Sequence, residues 1–206
     1  MKTVTIEGQI RSDLGKKATR DLRKQGMVPA VIYGGKENIH FYAPALSFRS
    51  IVYTPDFMTA AIKVEGKTYP CLLKDLQFNP VTDELTHVDF QELIEDRKVI
   101  AHLPLKFNGL AIGMREGGRF ETKMKHLKVR TYPKYLVENI EVDITNLKLN
   151  ENIRVEDIHR DNLEIMNAPR QPIASIVLTR ALKQAESSGE AAAPAAEAEA
   201  EEATAE

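Results

Sequence analysis

Five cations, Lys16, Lys17, Arg20, Arg23 and Lys24, are the residues whose types and spacing speak most directly of chemistry. At about 100° per residue on a helix they fall within roughly a 120° sector, with Ala18 and Leu22 on the other side. One face of such a helix can pack on a sheet while the opposite face presents a line of positive charge, to which Arg11 adds a sixth cation just upstream. Phosphates suit this arrangement, because dispersed cations displace condensed counterions and arginine also makes bidentate contacts to base edges. A merely solvated basic face has the same pattern, so helix geometry admits both.

A second constellation is Thr86-His87-Val88-Asp89-Phe90. On a strand, Val88 and Phe90 point to one face and His87 and Asp89 to the other, about 6.5 to 7 Å apart. That spacing suits a general acid and base, two metal ligands, or hydrogen-bonding groups that read nucleic acid. A metal needs a third ligand, and His102, His126 and His159 stand elsewhere without metal-ligand spacing. No nucleophile elbow, phosphate-binding loop or dinucleotide fingerprint is present, and Gly34-Gly35 and Gly117-Gly118 read as turns. The expectation is a protein that is not an enzyme and has no metal, cofactor or small-molecule substrate. Tyr33, closing an apolar run beside Gly34, suits stacking on a base or ribose and equally a place at the rim of a core. The lone cysteine, Cys71, lies in a strand-like segment and reads as a small core residue.

These groups need a scaffold. Val4 and Ile6 alternate with polar neighbours, and Ile10 extends the pattern into a predicted opening strand. Gly15 to Gln25 holds good helix formers without internal proline and is closed by Gly26 and Pro29, so the cations are predicted to lie on a helix. Val28 to Tyr33 and Ile39 to Tyr42 are predicted strands, and Pro44 to Tyr53 a short helix. Met58 to Val64 and Thr68 to Phe78 flank Glu65-Gly66-Lys67, a hairpin signal, and a further reversal at residues 79–83 precedes a strand from Leu85 to Gln91. The fold expected is mainly β with a few short helices, a β-rich α+β protein: an N-terminal six-stranded antiparallel β-barrel over residues 1–92 and a second β-rich domain over residues 93–185. Strand-like segments in the second are 99–107, 126–131, 140–144 and 173–178.

Residues 186–206, built largely of Ala and Glu, offer no apolar stripe and are expected to form a disordered acidic tail. The formal charge of −2 averages that tail with a basic body, since seven of the 30 acids and none of the 28 basic residues lie from Glu186 onward, leaving residues 1–185 at +5. Such a balance permits a nucleic-acid partner without demanding one. No stretch approaches the ~20 apolar residues that span a bilayer, and no apolar run marks a signal peptide, so the expected location is the cytoplasm, away from membranes.

Longer motifs sharpen this picture. Arg11, Gly15-Lys16-Lys17-Ala18, Arg20-Asp21-Leu22-Arg23 and Gly26 through Gly34 resemble the opening of the twenty-fifth large-subunit ribosomal protein family of bacteria, as do Lys74 through Pro80 and His87-Val88-Asp89-Phe90. Phe107-Asn108-Gly109, Gly117-Gly118, Glu141-Val142-Asp143 and Val155 through Ile158 resemble the second half of its long form, the general stress protein Ctc type. The chain departs from that pattern at Leu136-Val137, where Ile-Pro is expected, and at Asn150, where glycine is expected.

The resemblance implies that residues 1–92 bind 5S rRNA through the minor groove, in the central protuberance of the large ribosomal subunit, in support of translation. It implies RNA contacts by Arg11, Arg20, Tyr33, His87 and Asp89, with Lys16, Lys17, Arg23, Lys24, Lys74 and Gln77 in support. Neighbouring ribosomal proteins are expected partners of the second domain, and the location becomes the cytoplasmic ribosome. A stress-linked, ribosome-associated RNA-binding factor is the alternative function. An anticodon-binding barrel of the glutaminyl-tRNA synthetase type has a similar fold, but neither HIGH nor KMSKS signatures occur in this sequence.

Overall fold

Apolar alternation carries the chain through a series of short strands. The computed structural model describes residues 1–158, 160 and 162–179; His159 and the expected acidic tail lie outside the described residues. Two compact units form, the first from Met1–Leu105, His126–Ile140 and Arg160–Asn167, the second from Lys106–Lys125 and the segments that start at Glu141 and Ala168.

In the first unit, β1 (Thr3–Ile10), β2 (Met27–Tyr33), β3 (Ile39–Pro44), β4 (Thr59–Val64), β5 (Lys67–Phe78) and β6 (Leu85–Glu92) close into a barrel of order β1-β3-β2-β6-β5-β4. The expected antiparallel pairing holds at four of its six seams, whereas β1·β4 and β2·β6 run parallel. Antiparallel neighbours can be joined by tight turns; each parallel seam joins strands far apart in sequence, with other elements between them. The β4–β5 hairpin turns on Glu65 and Gly66, both at positive φ (49° and 78°), the type I′ geometry that a glycine at the second position eases.

Inward residues of each strand fill the barrel: Ile6, Ile32, Phe41, Ile62, Val88 and Phe90 are fully buried. Phe90 sits between Phe41 and Phe48, each ring centroid 6.1 Å away. Cys71 is also buried in this core, and burial, with Glu92 adding, pushes its thiol up to about 12. It is a packing residue held as the neutral thiol.

α1 (Lys16–Lys24) lies between β1 and β2 in the chain, one residue shorter at each end than expected. Gly26 stops it: its amide bonds the Arg23 carbonyl at 3.0 Å while its φ of 74° turns the chain into β2. The helix expected over residues 44–53 is instead a 3₁₀ turn, Ala45–Phe48, followed by one turn of α-helix, α2 (Arg49–Val52). Phe48 and Ile51, three residues apart, both plug the barrel, and that anchoring suits the tighter turn better than a continuous helix.

Downstream come β7 (Val99–Asn108), α3 (Ile112–Arg115), β8 (Arg119–Thr122), β9 (His126–Thr131), β10 (Ile140–Asp143), β11 (Asn152–Arg154), β12 (Glu164–Ile165) and β13 (Pro172–Val177). They form one sheet of order β10-β7-β9-β12 and another of order β11-β13-β8. In the second unit Phe107 and Phe120 meet edge to face at 5.3 Å over a small core that includes Ala111, Ile144 and Ile176. Asn150, where glycine is expected, holds φ at 59°, a left-handed conformation that asparagine tolerates.

Candidate nucleic-acid interface

The basic helix is built as its sequence dictates. Lys16, Lys17, Arg20, Arg23 and Lys24 are exposed, while Ala18, Thr19 and Leu22 turn inward and are partly covered. None of the five enters an ion pair found among the described residues. Lys16 and Lys17 also occupy the first turn, which holds no acidic residue, although cations there oppose the helix dipole.

Two arginines fix the helix in place. The Arg11 guanidinium donates to the Asp13 carbonyl at 2.8 Å and to the Thr19 hydroxyl at 2.7 Å, tying β1 to the first turn of α1. At the other end Arg23 donates through Nε to the Thr86 carbonyl, 3.0 Å away, which joins α1 to the start of β6. Arg20, Arg23 and Lys24 line a groove together with Tyr53, Thr86 and the carboxylates of Asp83 and Glu84.

The second constellation lies on the outer face of the barrel. Val88 and Phe90 are buried, so strand alternation turns His87 and Asp89 outward. Their side chains meet, His87 Nδ1 to Asp89 Oδ1 at 2.7 Å, yet neither atom has a hydrogen bond of sound geometry, and both are shut off from solvent. The two side chains as wholes remain 24% and 31% exposed, so the rest of each faces outward.

Cross-strand register brings further groups beside this pair. Gln77 stands opposite His87 and Asp75 opposite Asp89 across the β5·β6 seam, while Val31 flanks Asp89 on β2 and His40 follows on β3. Tyr33, two residues beyond Val31, is half-buried; burial first, then the Asp89 and Asp75 carboxylates, raise its phenol above the usual range, so it stays a neutral donor and acceptor. Gln77, His87, Asp89 and Tyr33 thus form one polar patch. Lys74 is not in it, because its amine donates to the Ile100 carbonyl at 3.2 Å, on β7.

Asp75 is the residue that sequence reasoning missed. Simple alternation from Cys71 and Leu73, which face inward, would bury it. A bulge in β5 at Lys74 resets the phase, so that Leu76 joins the core and Asp75 faces out. Among the described residues, no cluster of three or more His, Cys, Asp or Glu side chains is arranged to hold a metal ion.

The fold and site define a closed six-stranded barrel that carries a helix of exposed cations and, on its outer face, a patch of polar donors and acceptors. Residues 6–90 match the Ribosomal L25p family and residues 98–180 the Ribosomal protein TL5, C-terminal domain. The chain is 40% identical to the large ribosomal subunit protein bL25 of Cytophaga hutchinsonii over 186 residues, 90% of this chain and 97% of that protein. It is 39% identical to the protein of the same name from Amoebophilus asiaticus, covering 89% and 93% of the two chains. A third bL25, from Phocaeicola vulgatus, is 36% identical over 90% of this chain and 97% of its own. The chain belongs to the bL25 family of bacterial large-subunit ribosomal proteins, in the long Ctc-type form, a family of structural and non-enzymatic constituents of the ribosome.

Proposed function

We propose that this protein binds 5S rRNA in the central protuberance of the large ribosomal subunit, as a structural constituent of the cytoplasmic ribosome that supports translation. The barrel carries the contact. Lys16, Lys17, Arg20, Arg23 and Lys24 sit against phosphates, with Arg11 holding their helix in line, while Tyr33, Gln77, His87 and Asp89 face the minor groove. A-form RNA hides its major groove and offers 2′-hydroxyls and base edges in a shallow minor groove, which a polar barrel face can meet flat.

The observation that carries this reading is the His87–Asp89 pair on the outer face of the barrel, joined at 2.7 Å through Nδ1 and Oδ1 with the two side chains still 24% and 31% exposed. A carboxylate there repels phosphate, so it makes sense only as an acceptor for exocyclic amines or ribose hydroxyls. It thereby penalises nucleic acids that cannot supply those donors.

Hydroxyl-radical footprinting of 5S rRNA with the full chain tests the proposal. A single protected minor-groove segment, lost in His87→Ala and merely weakened in Lys17→Ala, is the expected result. Diffuse protection that ignores His87 would contradict it.

A further inference from the structure

We propose that the outer face of the β7·β9 seam in the first unit is a second RNA contact, holding backbone phosphates through Lys128, His126 and Lys74. It rests on the RNA-binding function proposed above and extends it to β9, whose His126 and Lys128 lie in none of the sequence motifs.

Strand β9 alternates cleanly. Leu127, Val129 and Thr131 are buried, whereas His126, Lys128 and Arg130 are exposed. Register sets His102 of β7 against Lys128, Pro104 against His126 and Ile100 against Arg130. Lys74 reaches the same face from the bulge in β5 by its bond to the Ile100 carbonyl. Lys74, His102 and His126 line one cavity of about 430 Å³.

The basic groups of the cluster act on one another. Burial and then Lys128 lower the Lys74 ammonium; burial, then Lys128, Lys74 and His126, lower His102. Each cation is felt by its neighbours, which is what a concentrated positive potential means. Two carboxylates, Asp56 and Asp75, also line the cavity, and neither faces Lys128 across the β7·β9 seam. Glu164 stands opposite Arg130 and pairs with Lys98, Asp56 pairs with Lys2 at 3.4 Å, and Asp75 accepts the Leu76 amide at 2.9 Å. Lys128 enters no ion pair found among the described residues.

Crowding like charges on one face costs stability in the free protein, and a phosphate bound among them relieves that cost. Alternate residues on a strand are about 6.6 Å apart, which sets Lys128 and His126 along a line, as a phosphate backbone requires. Compact acidic side chains of a protein partner could also meet such a face, and the experiment separates them from RNA.

Full-length protein is titrated with free 5S rRNA, with protein-free large-subunit rRNA carrying 5S rRNA and with large subunits stripped of this protein, across a salt series, comparing wild type, Lys128→Glu and Lys128→Arg. Circular dichroism confirms that the variants are folded. Lys128→Glu is expected to bind the larger RNA on the order of tenfold more weakly, with a salt slope shallower by about one, while Lys128→Arg is expected to match wild type. Wild-type affinity in Lys128→Glu on this RNA overturns the second contact, as does a loss confined to intact subunits, which assigns the face to a protein. Failure of the wild type to bind free 5S rRNA would instead overturn the function proposed above, and the comparison on the larger RNA would still decide this one.

Discussion

Asp75 and Asp89 stand directly opposite each other across the β5·β6 seam, two carboxylates in one cross-strand pair. Like charges so placed destabilise a sheet by a few tenths of a kcal/mol up to about 1. Asp75→Asn keeps an oxygen for the Leu76 amide and removes the repulsion, so it is expected to stabilise the protein by about 0.5 kcal/mol in urea denaturation. A destabilised variant would show that the opposition is already relieved within the fold.

The exposed helix cations predict a different signature. Arg20→Ala is expected to weaken binding to all RNA about equally and to make the salt slope shallower by about one, because a phosphate contact carries charge and no sequence information. Arg11→Ala is expected to act through the helix. Loss of its bonds to Asp13 and Thr19 loosens the first turn of α1, visible as faster amide exchange there.

Phe90 fills the barrel between two other rings. Phe90→Ala is expected to cost about 3 to 5 kcal/mol in chemical denaturation, the usual range for an aromatic deleted from a closed core. A loss below about 1 kcal/mol would mean that the barrel collapses around the gap.

Asn150 tests the left-handed turn. Asn150→Gly is expected to fold with equal or slightly greater stability, while Asn150→Ala loses about 1 kcal/mol, since alanine keeps the Cβ that strains a backbone held at φ 59° and lacks the amide that lets asparagine tolerate it. Equal stability of the two variants would place the turn in another conformation in solution.

His102 predicts a dependence on pH. Its folded value is lowered by burial and then by Lys128, Lys74 and His126, so as pH falls below 6.5 the unfolded chain takes up this proton first. This group therefore favours unfolding progressively from about pH 6.5 down to its folded value, and adds no further loss below that. The melting temperature of His102→Gln is expected to fall less over that window than that of wild type.

Much of this was legible in the sequence. Alternation located the barrel strands, and at 100° per residue the helix cations fell on one side, where the structure presents them. Other features depend on tertiary pairing. The two parallel seams follow from closure of the barrel rather than from any local pattern. Asp75 faces outward because of a bulge seen only in the register of β5 with β6. The short strands β8, β11 and β12, of four, three and two residues, are too brief to show a period. The direction Lys74 takes, toward the Ile100 carbonyl on β7 and away from Gln77, likewise depends on the bulge.

The central claim is specific recognition of 5S rRNA by the polar barrel face. It is tested most directly by measuring the affinity of wild type and Asp89→Asn for 5S rRNA, tRNA and duplex DNA at one fixed salt concentration. Wild type is expected to prefer 5S rRNA by at least two orders of magnitude, and Asp89→Asn to lose most of that preference while keeping its weak, general affinity. Equal binding of all three nucleic acids by wild type, or a preference unchanged by Asp89→Asn, would contradict it.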